Sequence, residues 1–276
     1  MFLSEPGQTG YDIQFTLFGF HVRVHPLFFL GPLLFGGGLL HGNGNVGVSL
    51  LVVTFVFFVS ILFHELGHTW AFRWFGIDSR IVLHWMGGIA IPNRNSWGSG
   101  RQPSLTANQQ IIVSIAGPLA NVVLALAMIG IGLAIGGELV WLSMLLPIPV
   151  VRLSEPTFTN MPYLQLLFLS MSVLNLLWAI FNMLPIFPLD GGQVARAFMQ
   201  KIDPRDGLQN SLYLSIGVAV LLAVYGLSTD SIFIAIFCGY MAYGSWQTLQ
   251  QISGSCLLYT SPSPRDATLS RMPSSA

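Results

Sequence analysis

The chain has 276 residues, of which 53% are hydrophobic and only 8% charged, and its mean hydropathy is +0.67. Soluble domains carry about 25% charged residues, so an ordinary soluble fold is excluded. Eleven basic and eleven acidic residues leave no net field to attract nucleic acid. Two Cys exclude a disulfide framework. What remains is an all-α polytopic membrane protein.

In chain order, residues 1–25 form a juxtamembrane segment in which Tyr11 to Pro26 alternate polar and apolar side chains, the pattern of a short interfacial strand. A spanning helix needs about 20 apolar residues. The first candidate, Pro26 to about Leu40, is short and broken by glycines. The second, Gly47 to Phe75, is roughly 43 Å long at helical rise. It exceeds a hydrocarbon core of about 30 Å, so one end projects or tilts. Residues 77–92 alternate around Gly87-Gly88 and predict a small membrane-associated β-hairpin between the second and third helices. The third helix runs from about Gln109 to Ile135. Residues 138–151 are apolar but short and contain Pro147 and Pro149, which predicts a re-entrant or surface piece. Further helices cover about Tyr163 to Met183, Leu212 to Leu227 and Ser231 to Trp246. About six spans result, all within one domain over 26–255.

Basic residues support this count. With the N-terminus cytoplasmic, Arg23, Arg73, Arg80, Arg94, Arg101, Arg196, Lys201 and Arg205 fall on the cytoplasmic side, against Arg152 outside. Making 138–151 a full span would split them.

Residues 256–276 stand apart. CLLYTSPSPRD resembles the translation of a transposase adapter from sequencing libraries, and SRMPSSA resembles its flow-cell end. Ala267 to Leu269 fill the place of an index. The segment from Cys256 to Ala276 is therefore expected to be non-native, with the natural chain cut short at an unknown distance from its end. Without it, Cys238 remains alone in an apolar helix, where it serves as a small hydrophobe.

Within the spans the only carboxylate is Glu65, in His64-Glu65-Leu66-Gly67-His68. A charge at mid-membrane costs at least ~2.5–3.5 kcal/mol, and such residues are functional by default. His64 and His68 are one turn apart, so both imidazoles project from one helix face and can grip one metal. Glu65 lies on the adjoining face and can reach a metal-bound water. A catalytic zinc takes three protein ligands plus water. Asp190 is the candidate third, in the run from Asn182 through Pro185 and Pro188 to Gly191-Gly192.

Plainer readings stand beside these. Asp190 could cap a helix beginning near Gly192, and Asn182 could satisfy carbonyls at a helix end. His84 fits a hairpin residue better than a fourth ligand. His21, His25 and His41 fit the interface, as do Trp70, Trp74 and Trp85. Gly117-Pro118 with Asn121 reads first as a close-packing and kink signal.

The three motifs HELGH, AGPLAN and N-x-x-P-x-x-P-L-D-G-G, in this order over about residues 15–250, resemble the site-2 protease family of intramembrane zinc metalloproteases. The resemblance implies one catalytic Zn2+ held by His64, His68 and Asp190, with Glu65 as catalytic base. It implies that Asn182 helps bind the substrate, and that the Gly87-Gly88 hairpin offers an edge to an unwound substrate. About 27 residues between the third and fourth helices leave no room for a PDZ-like insertion, which is similar to the compact branch. The implied substrate is a single-pass membrane protein, such as a membrane-tethered transcription regulator or anti-sigma factor. It would be cut near the cytoplasmic side of a prokaryotic cell membrane, in regulated intramembrane proteolysis. An inactive zinc-binding scaffold is the alternative; a metal transporter would need polar residues along a path, not at one depth.

Overall fold

The computed structural model describes residues 7–35, 45–85, 87–93, 105–143, 147–153 and 161–260, with the side chains of 34, 35, 143, 147 and 254–260 excepted. Arg94, Arg101, His41, the end of the first expected span and residues 261–276 of the adapter-like tail lie outside the described residues. The described chain forms two compact units. One comprises residues up to Pro185 together with Leu189–Phe198; the other comprises Ile186–Pro188 and the chain from Met199 onward.

The first unit is built around α2. Before it come β1 (Ile13–Leu17), β2 (Phe20–Val24), a 3-10 turn (Pro26–Phe29) and the short helix α1 (Leu30–Phe35). Then α2 (Val46–Trp74) starts at Asn45, whose Oδ1 accepts from the backbone N–H of Gly47 at 2.8 Å. It stops at Gly76, which has a φ of +74°. There Gly76 N donates to Arg73 O and Ile77 N to Phe72 O, while Ile77 packs on Phe72. This is the glycine-ended helix stop that redirects a chain with its carbonyls satisfied.

The turn delivers the chain into β3 (Ser79–His84) and β4 (Gly87–Pro92), the expected hairpin. His84 pairs with Gly87, so both glycines open β4 instead of forming the turn. The N-terminal segment is also a hairpin: β1 and β2 pair around Phe18 and Gly19, both with positive φ, as a tight two-residue turn requires. The hairpins join where β2 runs parallel to β3, Val22 facing Ile81, giving the order β1-β2-β3-β4. Phe20, Val22, Val24, Ile81 and Leu83 bury one face of this sheet against Phe57, Ile61, Leu62 and Leu66 of α2.

Helix α3 (Ala107–Ala134) begins with a capping box in which Thr106 and Gln109 satisfy each other's backbone N–H groups. Residues 138–143 and 147–151 lie in a third antiparallel pair, β5 (Gly137–Ser143) and β6 (Pro147–Leu153). Val151 and Leu153 pack it on Ile129 of α3 and Phe168 of α4 (Pro162–Asn182). Helices α2, α3 and α4 pack on one another. Helix α5 (Asp190–Ile202) follows.

The second unit is a helical hairpin of α6 (Gly207–Ser228) and α7 (Ile232–Thr260). Phe187 N donates to Ser215 Oγ at 2.7 Å, and Ser245 Oγ donates to Phe187 O at 3.2 Å. Among the described residues, α2, α3, α4, α6 and α7 are long and apolar enough to cross a membrane. The fold class is that of a mostly helical, polytopic membrane protein, with more sheet than one hairpin.

Candidate metal centre

The H-E-x-x-H turn lies in the last third of α2 and is buried: His64 is 4% exposed, Glu65 3% and His68 7%. The chain leaves α4 at Asn182 and enters α5 at Asp190, whose carboxylate meets both imidazoles. His64 Nε2 lies 3.1 Å from Asp190 Oδ2 and His68 Nε2 3.3 Å from Oδ1, and the two Nε2 atoms are 3.1 Å apart. Ligands 2.0–2.1 Å from a tetrahedral zinc stand about 3.3 Å from each other. Among the described residues this is the one group of three His, Cys, Asp or Glu able to share an ion.

Hydrogen bonding decides what these nitrogens present. His68 Nδ1 lies 2.7 Å from the carbonyl of Val113, which can only accept, so Nδ1 carries the proton. His64 Nδ1 lies 2.6 Å from Asn121 Oδ1. Asn121 commits its amide nitrogen to Ser60 O at 3.1 Å and Asn175 Oδ1 at 2.6 Å, so the atom facing His64 is the acceptor. In the neutral rings both Nε2 atoms therefore point lone pairs at each other and at a carboxylate. Asp190 Oδ2 is buried and accepts no hydrogen bond. Two lone pairs and an anion converging in a buried site repel each other until a cation joins them.

Room for that cation is kept by Gly117 of α3. A Cβ there would overlap His68 Nε2 and stand 2.9 Å from His64 Nε2, so its absence leaves space beside both nitrogens. Gly67 has a matching role: a Cβ on it would run into the carbonyl of Ala116. These two glycines let α2 and α3 approach backbone to backbone at the level of the motif. The residues present thus fit a zinc ion, by donor set, spacing and space.

Glu65 faces the sheet. The backbone N–H of Ala90 in β4 hydrogen-bonds its carboxylate. A Cβ on Gly88 would overlap Glu65 Cγ and lie 2.6 Å from Oε1, so the glycine permits strand and carboxylate to touch. Gly87 packs on Trp178 of α4. Asn182 is buried and its amide nitrogen donates to Trp178 O at 2.9 Å, which matches the helix-end reading. The capping reading of Asp190 finds no such bond: its carboxylate turns to the histidines. His84 stands outside the cluster, and Trp70, Trp74 and Trp85 are exposed. Sequence reasoning missed Asn175 and Ser60, and took Asn121 for a packing residue. The available signal was an Asn at 121 and another at 175, each inside an otherwise apolar span.

Comparison with known proteins gives this geometry its context. The description of peptidase family M50 matches residues 52–224. A zinc metalloprotease of Methanocaldococcus jannaschii is 25% identical over 243 residues, covering 86% of this chain and 60% of the relative, so the chain spans less than two thirds of that protein. The solved structure of a site-2 protease from Methanocaldococcus jannaschii superposes with a TM-score of 0.52. It covers 87% of this chain and 95% of its own at 21% identity, a likeness of fold. The family implies zinc, and the His64, His68 and Asp190 group is one that could bind it. With the match extending over most of the apolar chain and through His64 and His68, the chain belongs to peptidase family M50, the site-2 proteases, and is an integral membrane protein.

Proposed function

We propose that the chain is an intramembrane zinc endopeptidase that cuts a transmembrane segment of a single-pass membrane protein. The cut lies near the cytoplasmic side and releases a cytoplasmic fragment, with the enzyme's own N-terminus in the cytoplasm. The observation that carries this reading is the buried carboxylate of Glu65, next in sequence to His64 and fastened to a sheet edge by Ala90.

His64, His68 and Asp190 would hold one Zn2+, which when bound lowers the pKa of its water toward about 7 and polarises a carbonyl. Glu65 takes a proton on its carboxylate and later hands it to the leaving amine. The Ala90 N–H restrains that carboxylate between the two transfers. Among the described residues β4 lies at the sheet edge, so its outward backbone groups, apart from the Ala90 N–H that Glu65 takes, can pair with an extended peptide. Gly87 and Gly88 keep the strand slim where it meets Glu65, and Asn182 binds the substrate backbone. A substrate helix has to unwind first, because an intact helix hides its carbonyls. A membrane-tethered transcription regulator or anti-sigma factor has the single apolar span such a site accepts.

The test is cleavage of a candidate single-span substrate in liposomes by the wild type and Glu65→Gln, with metal analysis of both. Glu65→Gln should retain zinc and lose at least about 10²-fold in rate. Equal cleavage would reject Glu65 as the base, and zinc binding without cleavage by the wild type on any such substrate would favour the inactive scaffold.

A further inference from the structure

Three fully buried polar groups on three spanning helices connect to the metal centre through the far side of His64. Ser60 of α2, Asn121 of α3 and Asn175 of α4 have no exposed surface. They form one chain of hydrogen bonds. Asn175 Nδ2 donates to Met171 O at 2.8 Å and to Ser60 Oγ at 2.9 Å. Because Met171 O can only accept, Asn175 must turn its amide nitrogen that way and its Oδ1 toward Asn121. Asn121 Nδ2 gives one hydrogen to that Oδ1 and one to Ser60 O. The remaining atom of Asn121, Oδ1, then faces His64 Nδ1.

We propose that Asn175 is a positioning residue for the metal centre, acting through Asn121 to hold His64 as the Nδ1–H tautomer with its Nε2 lone pair aimed at the ion. The Asn121 amide is held by two acceptors, Asn175 Oδ1 at 2.6 Å and Ser60 O at 3.1 Å, and Asn175 is itself oriented by the Met171 carbonyl. His68 needs no such chain, since its Nδ1 is held directly by Val113 O. The two histidines are thus oriented by different means, one by backbone and one by an amide relay across three helices. Outer partners of a ligand histidine commonly change metal affinity by about 10- to 100-fold. A buried amide pair with no link to the ligand would alter stability alone.

This inference rests on the zinc reading of His64, His68 and Asp190. The test uses the full chain in detergent micelles, stripped of metal, then titrated with zinc against a chelator and with cobalt by absorption spectroscopy. Asn175→Ala and Asn121→Ala should each weaken zinc binding by about 10- to 100-fold and alter the cobalt ligand-field bands. The double variant should lose no more than Asn121→Ala alone, because both act through one path. Ser172, fully buried in α4 and bonded to Phe168 O, lies off that path, and Ser172→Ala should leave the cobalt spectrum unchanged. If Asn175→Ala does not fold, Asn175→Ser serves in its place, with the same loss expected. Wild-type affinity and spectrum in the Asn175 variant, or additive losses in the double variant, would overturn the relay. If the wild type itself binds neither metal, it is the zinc reading that fails.

Discussion

At Gly117 a hydrogen stands where any other residue would press a carbon onto the imidazoles of His64 and His68. Gly117→Ala is expected to cut zinc affinity by at least about tenfold, the scale set by changes beside ligand histidines, as read by chelator competition. His84 offers a separate handle. Burial first, and then the neighbouring His25, push its pKa down from 6.5 to about 4. Between those values the unfolded chain binds a proton that the folded chain refuses, so stability falls as pH drops from about 6.5 to 4. His84→Gln should remove this part of the pH dependence, measured as thermal midpoints in micelles at pH 5 and pH 7. At this scale His64, Glu65, His68 and Asp190 could be found in the sequence because charge and imidazole are rare among apolar residues. Asn175 carried only the weaker signal of an amide in an apolar span, whose role follows from the partner opposite it.

At the scale of elements, the stop of α2 is the most direct to test. Nothing lies within 4 Å of a Cβ placed on Gly76, so Gly76→Ala introduces backbone strain and no clash. It should destabilise the fold by about 1–2 kcal/mol, seen as a lower unfolding midpoint with zinc binding retained. Helix bodies were legible from apolar length: expected Gly47 to Phe75 and Gln109 to Ile135 became Val46–Trp74 and Ala107–Ala134. Strand pairing was less so. The β3–β4 hairpin announced itself by alternation and glycines, but residues 138–151 hid a hairpin because both strands are apolar on each face. The parallel pairing of β2 with β3 joins segments separated by the whole of α2, and no local pattern encodes such a contact.

At the scale of the molecule, a metal that α2 and the start of α5 would hold is linked to folding. With zinc at 100 times its dissociation constant, the folded state should gain about 2.7 kcal/mol. Chelation should therefore lower the unfolding midpoint of the wild type, while a His64→Ala, His68→Ala variant should not respond. The sheet has a consequence of another kind, for the parity of crossings. Val24 and Leu83 are register partners in neighbouring strands, so the chain comes back to the level from which it started. Phe28 already packs on Phe57, roughly 25 Å along α2 from its C-terminal end. Asn45 stands at the far end, capping α2 and donating to Tyr163. Val24 stands at one level and Asn45 at the other, and α2 comes back between them, which makes the H-E-x-x-H helix the return leg to a sheet whose backbone hydrogen bonds join β2 and β3. Such a closure ties the depth of Glu65 to β4 of the same sheet, so a tilt of α2 relative to the bilayer would carry carboxylate and strand edge together.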